Sequence, residues 1–364
     1  MVKEIESSHR KRGVAEVKLY DGPSKDRNTP GVLLLDFNER TTPPHKLVQE
    51  ALAACAKEGR LQIYPDYKEA TKIIAEYVGV NSNEVILTNG SDDGIGMVSR
   101  TLLEKGDKIV IPGPTFSTLE DEPLRLGAKI VDPRPRYQGE NLDFPFEDTM
   151  RSIKPDIKMV VICNPNNPTG TGVPREQLEQ IITKAADVGA NVLVDEAYYE
   201  FSKLTTVDLV SKFDNLFITR TLSKAMGVAG VRVGYIVSQN ANIDEIRKVQ
   251  NPYAVNAFAV ATVKTLQSSE VRGDMGNYAS EVMEHSKPMV EDFYRKNNIK
   301  FFPSMGNFHL LRIEKGLVDF LKNKGIFIRV KESLPGMVRA SIGTKQDTEK
   351  YLSAVGDYLK TTQT

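Results

Sequence analysis

With 364 residues, 40% hydrophobic and 26% charged, the chain is long enough to fold as one large α/β domain plus a smaller one. Its 48 basic and 48 acidic residues cancel, so no net charge attracts nucleic acid or an anionic membrane, and small metabolites are the expected partners. Two cysteines, Cys55 and Cys163, and four histidines without metal-ligand spacing predict neither a disulfide framework nor a metal site.

The amino-terminal segment does not have the pattern of a targeting signal. Residues 1–13 are charged and lack the apolar stretch of a secretory signal, and no later apolar run approaches the ~20 residues that cross a bilayer. Residues 11–31 are polar and contain several glycines and prolines, which is typical of an arm or loop. We therefore expect a cytoplasmic protein without membrane contact and an N-terminal arm over residues 1–43.

Helical and strand patterns alternate through most of the chain. The first unit comprises a predicted helix over 67–79, a strand over 84–88, a tight turn over 89–92, a helix over 93–104 and a strand over 108–111. Later apolar segments predict strands over 159–163, 191–194, 216–219 and 233–237, with a helix over 174–188. Strands that alternate with helices indicate a mostly parallel sheet covered on both faces, in a large domain over residues 44–251.

The pattern changes after residue 251. Two helical stretches come first, and they are followed by predicted strands over 307–312, 325–330 and 337–342 and a helix over 344–360. Consecutive helices and then short strands are typical of an α+β unit. The sequence therefore predicts a smaller C-terminal domain over residues 252–364.

A lysine lies among hydroxyl groups and glycines just beyond the strand predicted at 216–219. Residues 219–227 read TRTLSKAMG, and residues 230–234 read GVRVG. Ligands of α/β sheets bind outside the carboxyl ends of strands. A lysine that is held neutral there, or already bonded to an aldehyde, can perform Schiff-base chemistry. Lys224 is a candidate nucleophile, and a solvated surface lysine is the alternative.

Three further motifs lie at strand ends or at a helix start. Asp195 ends an apolar strand and could pair with a buried cation such as a protonated pyridine nitrogen, cap a helix or bind a metal. Residues 164–170, NPNNPTG, form either a plain turn or one that aims an amide at a ligand. Residues 89–92, NGSD, could bind a phosphate. The nearby Gly94 and Gly96 lack the third glycine of a dinucleotide fingerprint, which disfavours a dehydrogenase.

In matching order, over roughly residues 30–345, these motifs resemble fold-type I pyridoxal-5′-phosphate (PLP) enzymes of the aspartate aminotransferase superfamily. Within it the chain is most similar to histidinol-phosphate aminotransferases, through residues 35–39 (LDFNE), 64–66 (YPD), 89–92 (NGSD) and 338–344 (VRASIGT). The resemblance implies PLP as cofactor and the fold of that family, a large domain with a helix-covered, mostly parallel sheet plus a smaller α+β domain.

The resemblance also implies roles for the residues around the cofactor ring. Lys224 would hold PLP as a Schiff base, leave it when the substrate amine arrives, and move a proton between Cα and C4′. Asp195 would pair with the pyridine nitrogen, while Tyr198 and Asn167 would donate to the phenolate oxygen. Phe116, where many relatives have tyrosine, would stack on the ring.

Other matching residues would bind the cofactor phosphate. They supply backbone amides, hydroxyl groups and one guanidinium, and they are Gly90, Ser91, Asp92, Thr221, Ser223 and Arg232. Tyr64 matches a tyrosine that reaches the phosphate of the partner's cofactor, which implies a homodimer with shared active sites. As an alternative, Tyr64 is a packing residue at a helix start.

The predicted substrate-binding residues are Arg339, Arg329 and Asn38. Two guanidinium groups suit a dianion, so the resemblance implies histidinol phosphate as amino donor, with 2-oxoglutarate as the usual 2-oxo acid acceptor. Alternatively, either arginine forms an ion pair with a carboxylate of the final helix.

The sequence departs from the family after Asn38 and Glu39. Relatives usually continue Asn-Pro-Tyr or Asn-Pro-Phe-Gly, whereas this chain has Arg40-Thr41-Thr42-Pro43, so the expected substrate-side aromatic is absent. An aromatic or broad-range amino-acid aminotransferase is therefore the main alternative, and a phosphothreonine decarboxylase is a more remote one. A non-catalytic PLP-fold regulator is disfavoured by the neutral charge balance and by the lack of an added DNA-binding segment.

Overall fold

Two sheets organise the chain, which the computed structural model describes over residues 25–57, 61–133, 142–313 and 316–362, together with Val17 and Gly22. The strands are β1 (Leu33–Leu34), β2 (Val85–Thr88), β3 (Lys108–Val110), β4 (Lys129–Val131), β5 (Ile157–Cys163), β6 (Asn191–Asp195), β7 (Leu216–Thr221), β8 (Gly234–Val237), β9 (Lys300–Phe302), β10 (Phe308–Arg312), β11 (Ile326–Phe327), β12 (Arg329–Val330) and β13 (Met337–Ser341). The α-helices are α1 (Lys46–Lys57), α2 (Lys68–Val78), α3 (Gly90–Leu102), α4 (Ser117–Leu126), α5 (Phe146–Ser152), α6 (Arg175–Asp187), α7 (Tyr199–Ser202), α8 (Asn240–Val249), α9 (Ala257–Lys264), α10 (Ser269–Ser280), α11 (Lys287–Lys296), α12 (Gly316–Asn323) and α13 (Lys345–Thr362).

Seven strands form the large sheet, in the order β2-β8-β7-β6-β5-β3-β4. The pairs from β7 to β4 are parallel, and β8 pairs antiparallel with both β7 and β2. Along β5, Val160 and Ile162 pack in one hydrophobic cluster, whereas Met159 and Val161 pack in another. Because successive side chains of a strand point to opposite faces, this apolar run is buried on both sides, which confirms the α/β fold predicted from it.

The smaller sheet has the order β12-β13-β10-β9 and is antiparallel throughout. Its core includes Phe308 and Leu311 from β10 and Val338 from β13, which pack with residues of α10 to α13. A separate parallel pair, β1 with β11, joins the start of the described chain to its C-terminal part. The domain boundaries at residues 43 and 251 stay a prediction. The arm was predicted over residues 1–43, and its first 24 residues, apart from Val17 and Gly22, lie outside the described residues.

The structure corrects three predicted elements. The tight turn predicted over residues 89–92 is wrong, because α3 already begins at Gly90. The strand predicted over 325–330 is split between two sheets, since β11 pairs with β1 and β12 with β13. The two helical stretches expected after residue 251 are α9, α10 and α11, with a π-helical turn at Glu281–Ser286 joining the last two.

The described part of the chain was searched for membrane-spanning helices and for metal sites. None of its helices combines the length and apolar character that crossing a membrane requires. Within the same ranges, His, Cys, Asp and Glu side chains form no group of three or more that could hold a metal ion.

Candidate active site

Three neighbouring strands of the large sheet end at one edge and are followed there by the predicted chemical groups. β5 leads into Asn167, β6 ends at Asp195, and β7 ends at Thr221 just before Lys224. The parallel pairing of these strands places Cys163 beside Asp195 and Asp195 beside Thr219. Residues far apart in the sequence are therefore brought together where α/β sheets bind their ligands.

Lys224 points into this edge. Its Nζ donates to the main-chain carbonyl of Phe37 at 3.0 Å and lies 5.8 Å from the ring centre of Tyr198. Burial lowers the pKa of Lys224 to about 8, and the positive charge of Arg339 contributes to the same shift. At pH 7 roughly one molecule in ten then carries a neutral amine, far more than for a solvated lysine with a pKa near ~10.4. Such an amine is suited to nucleophilic work.

Asp195 is buried at the end of β6. Its Oδ1 accepts from Thr219 Oγ1 at 2.8 Å, and Cys163 Sγ lies 3.7 Å from its Oδ2. Burial raises the pKa of Asp195 to about 7, although the hydrogen bond from Thr219 opposes that rise. A nearby cation would keep this carboxylate ionised at neutral pH. The Asp195 carboxylate is therefore suited to pair with a protonated pyridine nitrogen.

Tyr198 is held by a chain of buried hydrogen bonds. Asn38 donates through Nδ2 to the Tyr198 hydroxyl at 2.9 Å, and Ser341 Oγ donates to Asn38 Oδ1 at 2.9 Å. Burial raises the pKa of Tyr198, so the phenol stays protonated and can donate its own hydrogen. Asn38, which was predicted to bind the substrate, is fully buried and forms hydrogen bonds with Tyr198, Ser341 and Asn307.

Arg339 orients Asn167. Its Nη1 donates to Asn167 Oδ1 at 2.6 Å, and its Nη2 donates to the carbonyl of Asp36 at 2.6 Å. A guanidinium has donors only, so the amide oxygen of Asn167 must face Arg339 and the Nδ2 group must face away as a donor. Asn167 is thereby set to donate to an oxygen such as the phenolate oxygen of the PLP ring.

The start of α3 forms a cradle that suits a phosphate. At Gly90, whose φ is +81°, a Cβ atom would lie 2.3 Å from Arg232 Nη2, and at Gly234 a Cβ would lie 2.5 Å from Ser91 N. The two glycines therefore allow the helix amides, the guanidinium and β8 to approach one another. Arg232 Nη2 also donates to Asp92 Oδ2 at 2.9 Å.

Hydroxyl groups complete this cradle. Thr221 Oγ1 donates to Ser223 Oγ at 2.9 Å, and both side chains are buried beside Lys224 in sequence. Helix N-terminal amides, hydroxyls and an arginine are the donors that bind phosphate in proteins. The residues present thus fit all three parts of PLP: its aldehyde end, its ring and its phosphate.

Two predicted cofactor residues lie at the margin of this arrangement. Phe116 precedes α4 and is partly buried against the cluster that contains Cys163. Tyr64 is 70% exposed and stacks on Tyr253 with ring centres 3.9 Å apart. Tyr64 does not lie at a helix start, because α2 begins at Lys68, and its role at the partner's cofactor stays a prediction.

The predicted arginine pair lies on the small sheet, and a third cation joins it. Arg329 of β12 is directly opposite Arg339 of β13, so both side chains project from the same face. Lys331 continues the strand, with its N–H donating to the carbonyl of Met337 at 3.0 Å. Because Lys331 lies two positions after Arg329 along an extended chain, its side chain points to the same face of the sheet as that of Arg329. Burial lowers the pKa of Lys331 to about 8, and the charges of Arg339 and Arg329 add to the shift.

Lys331 and Arg27 are residues near the predicted substrate side that the sequence analysis missed. Lys331 could have been found from its period-two spacing to Arg329. Arg27 had no such signal, because it lies in the polar arm. Its Nε forms an ion pair with Asp36 at 3.0 Å, a second pair links it to Glu39, and its guanidinium lies 4.6 Å from the ring centre of Phe37. Arg329 lies 5.0 Å from the same ring centre.

Comparisons with known proteins agree with this geometry. The family model described as aminotransferase class I and II matches residues 30–355. A histidinol-phosphate aminotransferase of Dehalococcoides mccartyi is 31% identical over 343 residues, which cover 92% of this chain and 92% of that one. A histidinol-phosphate aminotransferase of a Geobacillus species is 32% identical over 346 residues, which cover 91% of both chains. The crystal structure of histidinol-phosphate aminotransferase from Sinorhizobium meliloti in complex with pyridoxal-5′-phosphate superposes with a TM-score of 0.83 at 20% identity, covering 98% of this chain and 99% of that one. Aspartate aminotransferase from Thermotoga maritima superposes with a TM-score of 0.78 at 22% identity, covering 90% and 92%.

Proposed function

Since this chain belongs to the class I and II aminotransferase family and is a PLP-dependent transaminase, we propose that its amino donor is histidinol phosphate and its amino acceptor is 2-oxoglutarate. The names of the relatives from Dehalococcoides mccartyi and Geobacillus support the donor, and 2-oxoglutarate follows from the resemblance. A cytoplasmic location stays a prediction.

When bound at this site, PLP would supply aldehyde chemistry toward amines and a ring that can accept electron density. Lys224 is the nucleophile that holds the cofactor and the base that moves the proton at Cα. Asp195 holds a proton at the pyridine nitrogen, and Tyr198 and Asn167 donate hydrogen bonds to the ring oxygen. Asn38 positions Tyr198, a role that its buried bonds to Tyr198 and Ser341 support.

One observation carries the choice of substrate: the concentration of positive charge on the small sheet. Like charges directly opposite each other on antiparallel strands are destabilising, and here Arg329 faces Arg339 with Lys331 on the same face. Within the described ranges no carboxylate is paired with Lys331. An amino-acid carboxylate needs one guanidinium fork, whereas a phosphate monoester dianion offers more acceptors and more charge. The cluster therefore favours a phosphorylated substrate over an aromatic amino acid.

Charge removal from this cluster should separate the two substrate classes. We expect Arg329→Ala and Lys331→Met each to raise the KM for histidinol phosphate by roughly 10- to 150-fold, the loss of a charge-assisted bond worth ~1.5–3 kcal/mol. The KM for phenylalanine should change much less, because Arg339 alone suffices for its carboxylate. Steady-state kinetics with both donors measures the difference, and Lys360→Met, on an exposed helix end, is the matched control.

If Arg329→Ala leaves the kinetics with histidinol phosphate unchanged, or if the parent protein prefers aromatic amino acids, the broad-range aminotransferase reading replaces it.

We also propose that the protein is a homodimer with shared active sites. Four large apolar side chains, Leu61, Ile63, Tyr64 and Tyr253, are more than half exposed. Exposed groups of this kind mark interaction surfaces. The family resemblance, in which the tyrosine at position 64 reaches the partner's cofactor phosphate, supports a second copy as the occupant.

A charge placed in this surface should prevent association. We expect Ile63→Asp to convert a dimer to a monomer in sedimentation velocity and to weaken retention of PLP, because each site then loses the partner's Tyr64. Lys360→Asp, a charge change at an exposed helix end, should leave the dimer intact. A parent protein that sediments as a monomer with full activity would rule out shared sites.

A further inference from the structure

Arg40 occupies the place where the sequence departs from its relatives, and its side chain is turned inward. The side chain is only 6% exposed. Its Nη1 and Nη2 contact the two oxygens of Asp274 on α10 at 2.6 and 3.0 Å, and its Nε donates to Thr42 Oγ1 at 2.9 Å. The guanidinium also lies 4.6 Å from the ring centre of Tyr278, another residue of α10.

The same guanidinium contacts the loop that carries Lys224. Arg40 Nη1 donates at 3.1 Å to the carbonyl of Ala225, the residue that follows Lys224. At Gly227, whose φ is +78°, a Cβ atom would lie 2.8 Å from Arg40 Cδ, so the loop packs directly against the arginine stem. Arg40 therefore joins the lysine loop to α10.

A second contact joins the segment that carries Arg40 to Lys224 itself. The Nζ of Lys224 donates to the carbonyl of Phe37, three residues before Arg40. The segment from Phe37 to Arg40 thus meets the lysine loop twice, once at the reactive amine and once at the carbonyl of Ala225. Asn38, between these two points, donates to Tyr198. A shift of this segment would displace both Lys224 and Tyr198.

We propose that Arg40 is a positioning residue, which uses Asp274 as its anchor to fix the lysine loop against the segment that carries Asn38. This inference rests on the proposed roles of Lys224 and Tyr198, but not on the identity of the amino donor. It gives the unexpected Arg40-Thr41-Thr42 sequence a function: instead of an aromatic facing the substrate, the chain has a guanidinium facing the lysine loop.

The chemistry requires arginine rather than lysine at this position. Arg40 makes four hydrogen bonds to three partners: two to Asp274, one to Thr42 and one to Ala225. A planar guanidinium provides five donors in fixed directions, whereas an ammonium has three donors on a flexible stem. Arg40→Lys keeps the charge but cannot keep these directions, so it tests geometry separately from charge.

The test compares the holoenzymes of Arg40→Lys and Asp274→Asn with the parent. We expect kcat to fall about tenfold or more with every amino donor, while KM changes little, because Lys224 serves every substrate. The midpoint of the pH titration of cofactor absorbance should shift by about half a unit or more, since displacing Lys224 changes its burial and its distances from the charges of Arg339, Glu39, Asp92 and Arg232. Amide exchange of residues 222–228 should also accelerate.

Tyr351→Phe is the matched control. It removes a buried hydrogen bond of 2.9 Å between Tyr294 and Tyr351, which packs in the core of the small sheet and its helices. This variant should lower the Tm without altering kcat or the titration midpoint. If the Arg40 and Asp274 variants behave in the same way, with a lower Tm and an unchanged kcat, midpoint and exchange rate, the positioning role is overturned and the pair is purely structural.

Two further results keep the inference separate from other failures. The double variant should lose no more activity than the larger single loss, since both residues act through one link. Should Arg40→Lys fail to fold, Asp274→Asn and Thr42→Val still decide, because each removes one oxygen atom that accepts a hydrogen bond from the guanidinium. If the substrate proposal is wrong, the parent protein will prefer another amino donor. The fall in kcat of the Arg40 and Asp274 variants is still expected in that case, because it does not depend on the donor.

Discussion

We expect Lys224→Ala to abolish transamination and to leave the fold intact. The side chain would supply the nucleophile and the base at Cα. Lys224 follows the end of β7, the strand that pairs with β6 and Asp195, and its Nζ lies 5.8 Å from the ring centre of Tyr198. This substitution removes the hydrogen bond from Nζ to the carbonyl of Phe37 and no backbone bond, so the circular dichroism spectrum and the Tm should stay close to those of the parent. Turnover with any amino donor should fall to the level of free PLP.

Covalent labelling checks the same prediction independently of activity. Borohydride reduction of the PLP-loaded parent followed by peptide mapping should place the pyridoxyl group on Lys224. A label on any other lysine, or a Lys224→Ala variant that still turns over, would remove Lys224 from its proposed role.

Asp195→Asn should cost several kcal/mol at the chemical step with little loss of fold. A carboxylate keeps the pyridine nitrogen protonated, and the ring then withdraws electrons from Cα, whereas a neutral amide cannot do so. The amide is nearly isosteric and can still accept from Thr219 Oγ1, so the local packing is retained. Single-turnover rates of parent and variant with the same donor measure the change. A variant within about tenfold of the parent, a difference of only ~1.4 kcal/mol, would show that Asp195 is not the partner of the ring.

The pH dependence of the unfolding free energy of the cofactor-free protein reports on the ionisation of Asp195 independently of activity. Burial raises the pKa of Asp195 to about 7, from the 3.8 of a solvated aspartate. A raised pKa means that the folded state binds the proton more tightly, so this group's contribution to stability is complete below pH 3.8 and is lost as the pH rises through 7. Asp195→Asn lacks a titrating proton, and its unfolding free energy should therefore decline less with pH across this window.

The strand ends were predictable because local patterns encode them. Apolar runs identify β5, β6 and β7 without knowledge of the fold, and parallel strands end at one edge. Asp195 and Lys224 could therefore be placed near each other from the sequence, and the bond between Asp195 and Thr219 follows from the pairing of β6 with β7. The bond of Arg339 to Asn167 joins the small sheet to the segment after β5, so it depends on how the two sheets pack.

Other features depend on contacts that no local pattern shows. Gly90 has a turn-like neighbourhood, but α3 begins there because Gly234 and Arg232 pack against its first turn. The strand predicted over 325–330 divides because each half has a different partner strand. Arg40 and Asp274 are separated by more than 200 positions, and only the fold reveals that this arginine faces the lysine loop.

Single-turnover reactions of the PLP-loaded protein with histidinol phosphate, phenylalanine, tyrosine, aspartate and glutamate test the central claim most directly. Each donor is mixed with the protein without an acceptor, and the change in cofactor absorbance gives the rate and the concentration dependence. We predict that histidinol phosphate reacts with a kcat/KM at least about tenfold above every other donor, a preference of ~1.4 kcal/mol, and that inorganic phosphate competes with it. A parent protein that reacts fastest with phenylalanine or tyrosine, and is insensitive to phosphate, would contradict the account.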